Sequence, residues 1–261
     1  MSHHLRCALA FVSLLAAGAA SAQPIECRLQ PIEGGGNVEV AAVRDARTLA
    51  LKDGTDLRLA AIETPAGQQA EAARAALEKL TPPGTMLKLM GLSREPRDRY
   101  GRLVAFAFLP GASQSLQQTL IDLGEAWVGA QVGDPGCAKL LLTTENTARF
   151  ARRGFWADPN FAPLPADRGA QVAAEQGRFV LVEGTVSSVH ESNGTIYLNF
   201  GPPGSGSFSV TIPSRLQRAF TVVGLEPRTL RGRRIRARGW VEYRSGPIID
   251  AQAPEQIELL N

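Results

Sequence analysis

The amino-acid sequence predicts a mainly β protein with helices, built as two tandem five-stranded barrels. Short segments of apolar or alternating residues recur along the chain, separated by turns rich in its 26 glycines and 17 prolines. The 261 residues are also enough for two domains of ordinary size. Hydrophobic residues make up 44% and charged residues 20% of the chain, which excludes a disordered polymer and a membrane bundle.

Residues 1–22 have the pattern of a secretory signal peptide. Arg6 precedes an apolar stretch, and Ala20, Ser21 and Ala22 form a cleavage site of small residues. The apolar stretch is shorter than the roughly 20 residues that a membrane-spanning helix needs, and no other candidate span follows it. We therefore expect an exported protein, periplasmic or secreted, whose mature form has no membrane span.

Removal of the signal peptide leaves one histidine, His190, and two cysteines, Cys27 and Cys137. This set excludes a zinc site built from His and Cys, and a single histidine in a polar turn argues against a Ser-His-Asp triad. In an oxidising compartment the two cysteines predict one disulfide between the N-terminal extension and a late helix. A reactive pair of thiols is the alternative interpretation.

Residues 37–157 carry the first pattern of strands and helices. The apolar patterns predict strands at residues 38–43, 48–51, 57–62, 86–92 and 102–109. They predict helices at residues 67–80 and 115–123, and a third helix that ends at Gly154. Residues 23–36 form an N-terminal extension, and residues 158–176, which include three prolines, are interpreted as a linker.

Residues 177–261 carry a second, all-β pattern. Strands are predicted at residues 179–189, 195–200, 208–212, 233–243 and 247–251, with a short helix near residues 214–223. Three strands, a helix and two more strands is the order of the OB-fold, a small five-stranded Greek-key barrel. Because the first region has a compatible core with added helices, the prediction is two tandem OB-fold-like barrels.

Basic residues are concentrated in one predicted strand of the second region. The chain has 28 Lys and Arg against 25 Asp and Glu, and Arg234, Arg236 and Arg238 alternate along this strand. Alternation would place their guanidinium groups on one sheet face, where phosphates could bind. A solvated sheet face is the alternative. Tyr197 completes the candidate nucleic-acid-binding set as a stacking residue, with core packing as its alternative.

Two segments of the first region combine arginines with a carboxylate. Residues 57–65 have the sequence LRLAAIETP, and residues 98–102 have the sequence DRYGR. Glu63 closes an apolar strand, where its carboxylate could hold a hard cation. Arg58 and Arg102 carry planar guanidinium groups that can hold phosphate oxygens and stabilise the charge of a pentacoordinate transition state. For each segment alone, a surface ion pair or a plain turn is the alternative.

Together, in this order and spacing, the two segments resemble the thermonuclease, or staphylococcal-nuclease-like, family over roughly residues 38–156. The resemblance implies a Ca²⁺-dependent endonuclease that binds DNA or RNA and cleaves it with an activated water. Arg58 and Arg102 then match the two phosphate-binding arginines, Glu63 a calcium-ligating aspartate, and Thr64 the adjacent carbonyl ligand. The second region resembles OB-fold domains that follow such nuclease domains in exported bacterial proteins.

The same resemblance shows two substituted positions. The family's Asp-Gly-Asp-Thr motif is here Asp45-Ala46-Arg47-Thr48, so that Arg47 stands at a calcium-ligand position and Asp45 is a further candidate ligand. Ala66 stands where the family has its catalytic glutamate. A lost general base costs about 10²–10⁴ in rate, and a lost metal ligand also removes Lewis-acid stabilisation.

We therefore expect a thermonuclease-family protein with a degenerate catalytic site that binds DNA, RNA or another polyanion or phosphate-bearing ligand. Ca²⁺ is the expected cofactor if the protein is active; otherwise none is expected. Two alternatives stay open. One is an active calcium-dependent endonuclease that uses a shifted acid such as Glu71, and the other is an envelope scaffold or interaction module.

Overall fold

The computed structural model describes residues 26–94, 96–202 and 206–260. The protein is mainly β with helices, as the sequence predicted. The predicted signal peptide lies outside the described residues. None of the described helices is long and apolar enough to cross a membrane.

The N-terminal region forms a closed five-stranded barrel with helices around it. Its strands are β1 (Gln30–Pro31), β2 (Val38–Asp45), β3 (Thr48–Leu51), β4 (Asp56–Leu59), β5 (Ile62–Glu63), β6 (Met86–Gly91), β7 (Leu103–Phe108) and β8 (Trp127–Val128). Its helices are α1 (Gln68–Leu80), α2 (Leu116–Leu123) and α3 (Pro135–Phe150). The barrel order is β6-β2-β3-β4-β7, and β7 pairs with β6 to close the ring. Outside the ring, β1 pairs with β6, and β5 pairs with β8.

Burial in the barrel follows the strand and helix periods. In β4, Leu57 and Leu59 are buried in the core, and Arg58 between them is directed to the other side. On α1, Ala73 and Leu77 are four residues apart and form its buried face. The first barrel of the prediction is confirmed, and Arg58 is carried on its outer surface.

The strand predicted at residues 57–62 is two strands in the structure. The chain turns at Ala61, whose φ of 62° lies in the left-handed region, and β5 then leaves the ring. The Gly129 N–H donates to the Ala61 carbonyl at 2.8 Å. A Cβ at Gly129 would lie 3.2 Å from the Ala61 carbonyl carbon, so the two backbones are in close contact. The apolar pattern continues through the turn and therefore did not reveal it.

The C-terminal region contains the remaining strands and two short helices. Its strands are β9 (Leu164–Pro165), β10 (Phe179–Thr185), β11 (Ser188–Ser192), β12 (Thr195–Asn199), β13 (Ser209–Pro213), β14 (Arg234–Tyr243), β15 (Pro247–Asp250) and β16 (Ile257–Leu260). Its helices are α4 (Gly169–Ala174) and α5 (Gln217–Val222). The strand order is β11-β12-β13-β15-β14-β10-β9, and β16 pairs with β14. The strand predicted at residues 179–189 is thus divided into β10 and β11. The second OB-fold-like barrel stays a prediction.

The segment interpreted as a linker, residues 158–176, is folded. It contains a 3-10 turn at Pro159–Phe161, followed by β9 and α4, and β9 pairs in parallel with β10. Ala166 and Val172 are buried in the core of the C-terminal region. Its prolines indicated a linker, but the apolar residues that follow them pack against that region. The proposed domain boundaries themselves stay a prediction.

The two regions share a small aromatic core. Trp127, Phe155 and Trp156 come from the N-terminal region, and Phe179 and Leu181 come from β10. The ring centroids of Trp127 and Phe155 are 5.0 Å apart, and those of Trp127 and Phe179 are 5.7 Å apart. The regions are therefore packed against each other through large apolar side chains.

The disulfide predicted between Cys27 and Cys137 is present. Asp134 is the N-cap of α3, and its Oδ1 accepts a hydrogen bond from the Cys137 N–H at 2.9 Å. The bond joins the segment before β1 to the first turn of α3. It is compatible with folding in an oxidising compartment.

Candidate functional site

The central strands of the barrel bring Arg58 and Arg102 to one face. β4 pairs antiparallel with β3 and parallel with β7, and Arg58 lies opposite Val104. Arg102 directly precedes β7, two positions before Val104, so its side chain is on the same face. Two arginines that are 44 positions apart in the sequence thus become neighbours.

The carboxylate of Glu63 is held between two guanidinium groups. Arg47 Nη1 donates to Glu63 Oε2, and it also donates to the Ile62 carbonyl at 3.2 Å. Arg58 Nη2 lies 3.8 Å from Glu63 Oε1. All three side chains are half-buried, so water screens their charges less than at an open surface.

The charges around Arg58 favour a bound anion. Burial lowers the pKa of Arg58, the nearby positive charge of Arg47 lowers it further, and Arg102 also contributes in this direction. Glu63 raises the same pKa without cancelling these effects. A guanidinium group stays protonated at neutral pH even so. An anion bound beside Arg58 would therefore be stabilised by charges that now repel one another.

Arg102 is positioned by the turn that precedes it. Its Nε donates to Asp98 Oδ2 at 2.8 Å, and Asp98 Oδ1 accepts from the N–H groups of Tyr100 and Arg102 at 2.9 and 3.1 Å. Burial alone would raise the pKa of Asp98, but these hydrogen bonds, that of the Arg102 side chain first, lower it. The ionised Asp98 thus holds Arg102 at the start of β7. The exposed ring of Tyr100 lies 5.2 Å from Arg102 Cζ.

Residues 56–158 match the family model described as Staphylococcal nuclease homologue. The matched range begins at β4 and ends just after α3, and it includes Arg58, Glu63 and Arg102. Asp45 and Arg47 lie before it. The match supports the nuclease-like domain that the two motifs predicted. None of the curated proteins compared with the chain matches it.

The residues around Glu63 do not fit the calcium ion that such a nuclease fold implies. Ca²⁺ takes six to eight oxygen ligands, but the Glu63 carboxylate already faces two guanidinium groups. Asp45 Oδ1 accepts a hydrogen bond from the Arg47 N–H at 2.9 Å. A cation placed beside Arg47 would be repelled. Among the described residues, one group of three possible metal ligands lies close together, and it comprises Asp134 and the disulfide-bonded pair Cys27 and Cys137.

The other residues assigned from the resemblance lie between β5 and α1. Thr64 follows β5 and is half-buried, and Ala66 is exposed one residue before Gly67, the N-cap of α1. Glu71 is an exposed residue of the first turn of α1 and is not among the residues that line the cleft described below. No acid therefore stands at position 66, and Glu71 lies on the adjoining helix.

Arg238 is not available to a ligand, contrary to the sequence prediction. Its side chain is fully buried, and its Nη2 lies 2.7 Å from Glu145 Oε2 and 2.5 Å from Glu258 Oε1. Its Nη1 donates to the Val128 carbonyl at 3.1 Å. Burial would lower the pKa of Arg238, but the charges of Glu145 and Glu258 raise it above the ordinary value. Arg238 thus joins β14 to α3 and β8 of the nuclease-like domain.

Arg236 is also buried, and the prediction for it is likewise wrong. Its Nη2 lies 2.6 Å from Glu183 Oε1, and Glu258 is its second partner. Arg234 is 59% exposed and lies 3.3 Å from Glu183, so a role in binding stays a prediction for this residue. Tyr197 is half-buried, and its ring is stacked on that of His190 with centroids 4.8 Å apart. The alternation of arginines in the sequence did not reveal the carboxylates that pair with Arg236 and Arg238.

A cleft of about 420 Å³ extends from Arg58 to the C-terminal region. Arg58, Glu63 and the turn around Ala61 line one side. On the other side it is lined by residues of β14, β15 and the segment after them, Trp240, Glu242, Asp250, Gln252 and Gln256. In the sequence Trp240 is, like Tyr197, a candidate stacking residue with core packing as its alternative, and in the structure this residue is 47% exposed.

Proposed function

We propose that this protein is an exported member of the nuclease family that binds nucleic acid or another phosphate-bearing ligand and does not cleave it with Ca²⁺. The observation that carries the proposal is the contact of Arg47 with Glu63. The guanidinium group of Arg47 pairs with the carboxylate that a metal ion would need as a ligand. The family match over residues 56–158 supports nucleic-acid binding by this domain. The signal-peptide pattern and the disulfide support export.

Arg58 is the best placed of the three arginines to hold a phosphate. Arg47 is bonded to Glu63, and Arg102 is bonded to Asp98. Arg58 Nη2 is 3.8 Å from Glu63, beyond hydrogen-bond distance, so its donors can turn towards a ligand. Arg102, on the same face, would add a second positive charge. We infer a phosphate site made of guanidinium groups, which needs no metal to attract an anion.

We also assign the C-terminal region to a second OB-fold-like barrel. β10 and β11 are consecutive in the chain and are connected through Val186 and Ser187. They pair with opposite ends of the strand series β12-β13-β15-β14. One bent strand made of β10 and β11 would therefore close a five-stranded ring, which supports this assignment.

The purified mature protein is expected to bind short single-stranded DNA or RNA with an affinity that falls as salt rises, because phosphate contacts release counterions. Ca²⁺ is expected to produce no cleavage. Arg58→Gln should weaken binding about tenfold, and Arg102→Gln should weaken it by a similar factor. Fluorescence anisotropy and a nuclease assay with and without Ca²⁺ measure both properties.

Arg44→Gln is the control for this experiment, because Arg44 is exposed and pairs with Asp56 outside the cleft. It should leave affinity almost unchanged. Calcium-dependent cleavage by the unmodified protein, abolished by Arg102→Ala, would contradict the proposal and favour the active endonuclease. Absence of any salt-dependent binding would favour the scaffold alternative.

The double change Arg47→Asp with Ala66→Glu is expected to create calcium binding. It replaces the guanidinium group beside Glu63 with a carboxylate and adds a second acid close by. Ca²⁺ at 100 times its Kd should then stabilise the folded variant by about 2.7 kcal/mol, which is measurable as a rise in Tm. The control is Arg47→Gln with Ala66→Glu, which removes the same positive charge and supplies one carboxylate fewer. An equal Ca²⁺-dependent rise in the wild-type protein would show that Arg47 does not block the site.

A further inference from the structure

Trp240 presents an exposed aromatic face in the cleft that contains Arg58. It lies on β14, is 47% exposed, and lines the same cleft as Arg58. The ring of Phe179 lies 6.0 Å away in an edge-to-face arrangement and supports the indole from the side. The other two tryptophans of the chain, Trp127 and Trp156, are buried. Trp240 is therefore the tryptophan that a ligand in the cleft can contact.

The position of Trp240 relative to Arg58 is fixed by a buried contact between the two regions. Arg238 lies two residues before Trp240 on β14, and its guanidinium group is bonded to Glu145 of α3 and to the Val128 carbonyl of β8. β8 in turn pairs with β5, which carries Glu63. The indole and the phosphate site are thus parts of one packed unit.

The wall around Trp240 is acidic and polar. Glu242 Oε2 lies 2.7 Å from Arg244, and Asp250 accepts hydrogen bonds from the Thr211 hydroxyl at 2.9 Å and from Gln252 Nε2 at 2.6 Å. Carboxylates repel phosphates, so a polynucleotide backbone would not cross this wall. They can accept further hydrogen bonds from ring and amino N–H groups. The two walls therefore suit one phosphate at the arginine side and one aromatic base at the other.

We propose that the cleft binds a single nucleotide unit, with its phosphate on Arg58 and its base stacked on Trp240. The inference rests on the proposed function and narrows its ligand class. A volume of about 420 Å³ lies within the range of small-ligand sites. Trp240 then supplies the aromatic surface of the site from the C-terminal region. Stacking on an aromatic side chain contributes strongly to affinity and tolerates different bases.

The test compares two probes that carry the same phosphate on the full-length mature protein. Adenosine 5′-monophosphate has a base, and ribose 5-phosphate does not. Titration followed by the backbone amide signals in ¹H–¹⁵N spectra measures weak affinities in every variant. The indole N–H signal that is absent in Trp240→Phe identifies Trp240 and reports on its contact with the probe. The wild-type protein is expected to bind the nucleotide about tenfold more tightly than the sugar phosphate.

Three variants separate stacking from phosphate binding. Trp240→Ala should remove the tenfold preference and leave the affinity for ribose 5-phosphate unchanged, whereas Arg58→Gln should weaken both probes. The control is Tyr243→Ala, which removes an aromatic residue of the same strand that is 53% exposed and does not line the cleft. It should change neither affinity.

The failures of the two proposals are distinguishable. Equal affinities for both probes, still weakened by Arg58→Gln, would overturn the stacking role of Trp240 and leave the proposed function standing. Affinities for both probes that do not respond to Arg58→Gln, or no binding of either probe, would overturn the proposed function and this inference with it.

Discussion

Replacing both cysteines, Cys27→Ser with Cys137→Ser, is expected to lower the free energy of unfolding by about 4–5 kcal/mol. The two residues are 110 positions apart, and a crosslink over such a loop restricts the unfolded chain by about this amount in the chain-entropy treatment. Guanidinium chloride unfolding of the wild-type and double-serine proteins measures the difference. We expect the midpoint to fall, and reduction of the wild-type protein should reproduce the fall.

The helix start next to the disulfide offers a matched control. Asp134 Oδ1 accepts a hydrogen bond from the Cys137 N–H, so Asp134→Ala removes a cap at the same place and keeps the crosslink. It should cost about 1 kcal/mol. A Cβ at Gly136 would lie 2.1 Å from the Glu26 carbonyl oxygen, which shows how closely the extension packs on α3. A loss in the double-serine protein no larger than that of Asp134→Ala would contradict the expected role of the crosslink.

The barrel and the convergence of Arg58 and Arg102 on one face could be predicted because their signals are local or lie in ordered motifs. Alternation of Leu57, Arg58 and Leu59 directly encodes which side of β4 is buried. The order of the segments around Arg58 and Arg102 indicated a fold that brings them together. Even there, the turn at Ala61 was missed, because its left-handed φ depends on the contact with a distant glycine rather than on its own residue type.

The environment of β14 could not be predicted, because its partners are far away in the sequence. Arg238 and Glu145 are 93 positions apart, and Arg236 and Glu183 are 53 positions apart. A strand with alternating arginines on one face is equally compatible with a solvated or ligand-binding sheet and with a buried row of ion pairs. Only the packing of the two regions against each other decides whether these arginines are solvated or buried in ion pairs. The same packing places Trp240, which follows Arg238 on the same face of β14, in the cleft.

Arg238→Ala is expected to destabilise the protein by about 3–5 kcal/mol. It would leave Glu145, which is fully buried, without its cation, and Glu258 with one partner fewer. An unpaired buried charge costs far more than the intact ion pair contributes. Burial alone would raise the pKa of Glu258, but the charges of Arg238 and then Arg236 lower it. Arg238→Ala would remove the larger of these two charge effects and leave the buried Glu258 carboxylate less stabilised. Guanidinium chloride unfolding, followed by tryptophan fluorescence, measures the loss.

The control that separates charge from packing is Arg238→Met with Glu145→Gln. The Val128 N–H donates to Glu145 Oε1 at 2.8 Å, and a glutamine oxygen can accept the same hydrogen bond. Because this variant removes both charges and keeps most of the volume, it should recover most of the stability that Arg238→Ala loses. If Arg238→Ala costs less than about 1 kcal/mol, or if the neutral pair is as unstable as the alanine variant, the buried pair does not hold the regions together electrostatically. If the nucleotide proposal holds, Arg238→Ala should also lower the affinity for adenosine 5′-monophosphate more than the affinity for ribose 5-phosphate. The reason is that β14 would no longer hold Trp240 beside Arg58.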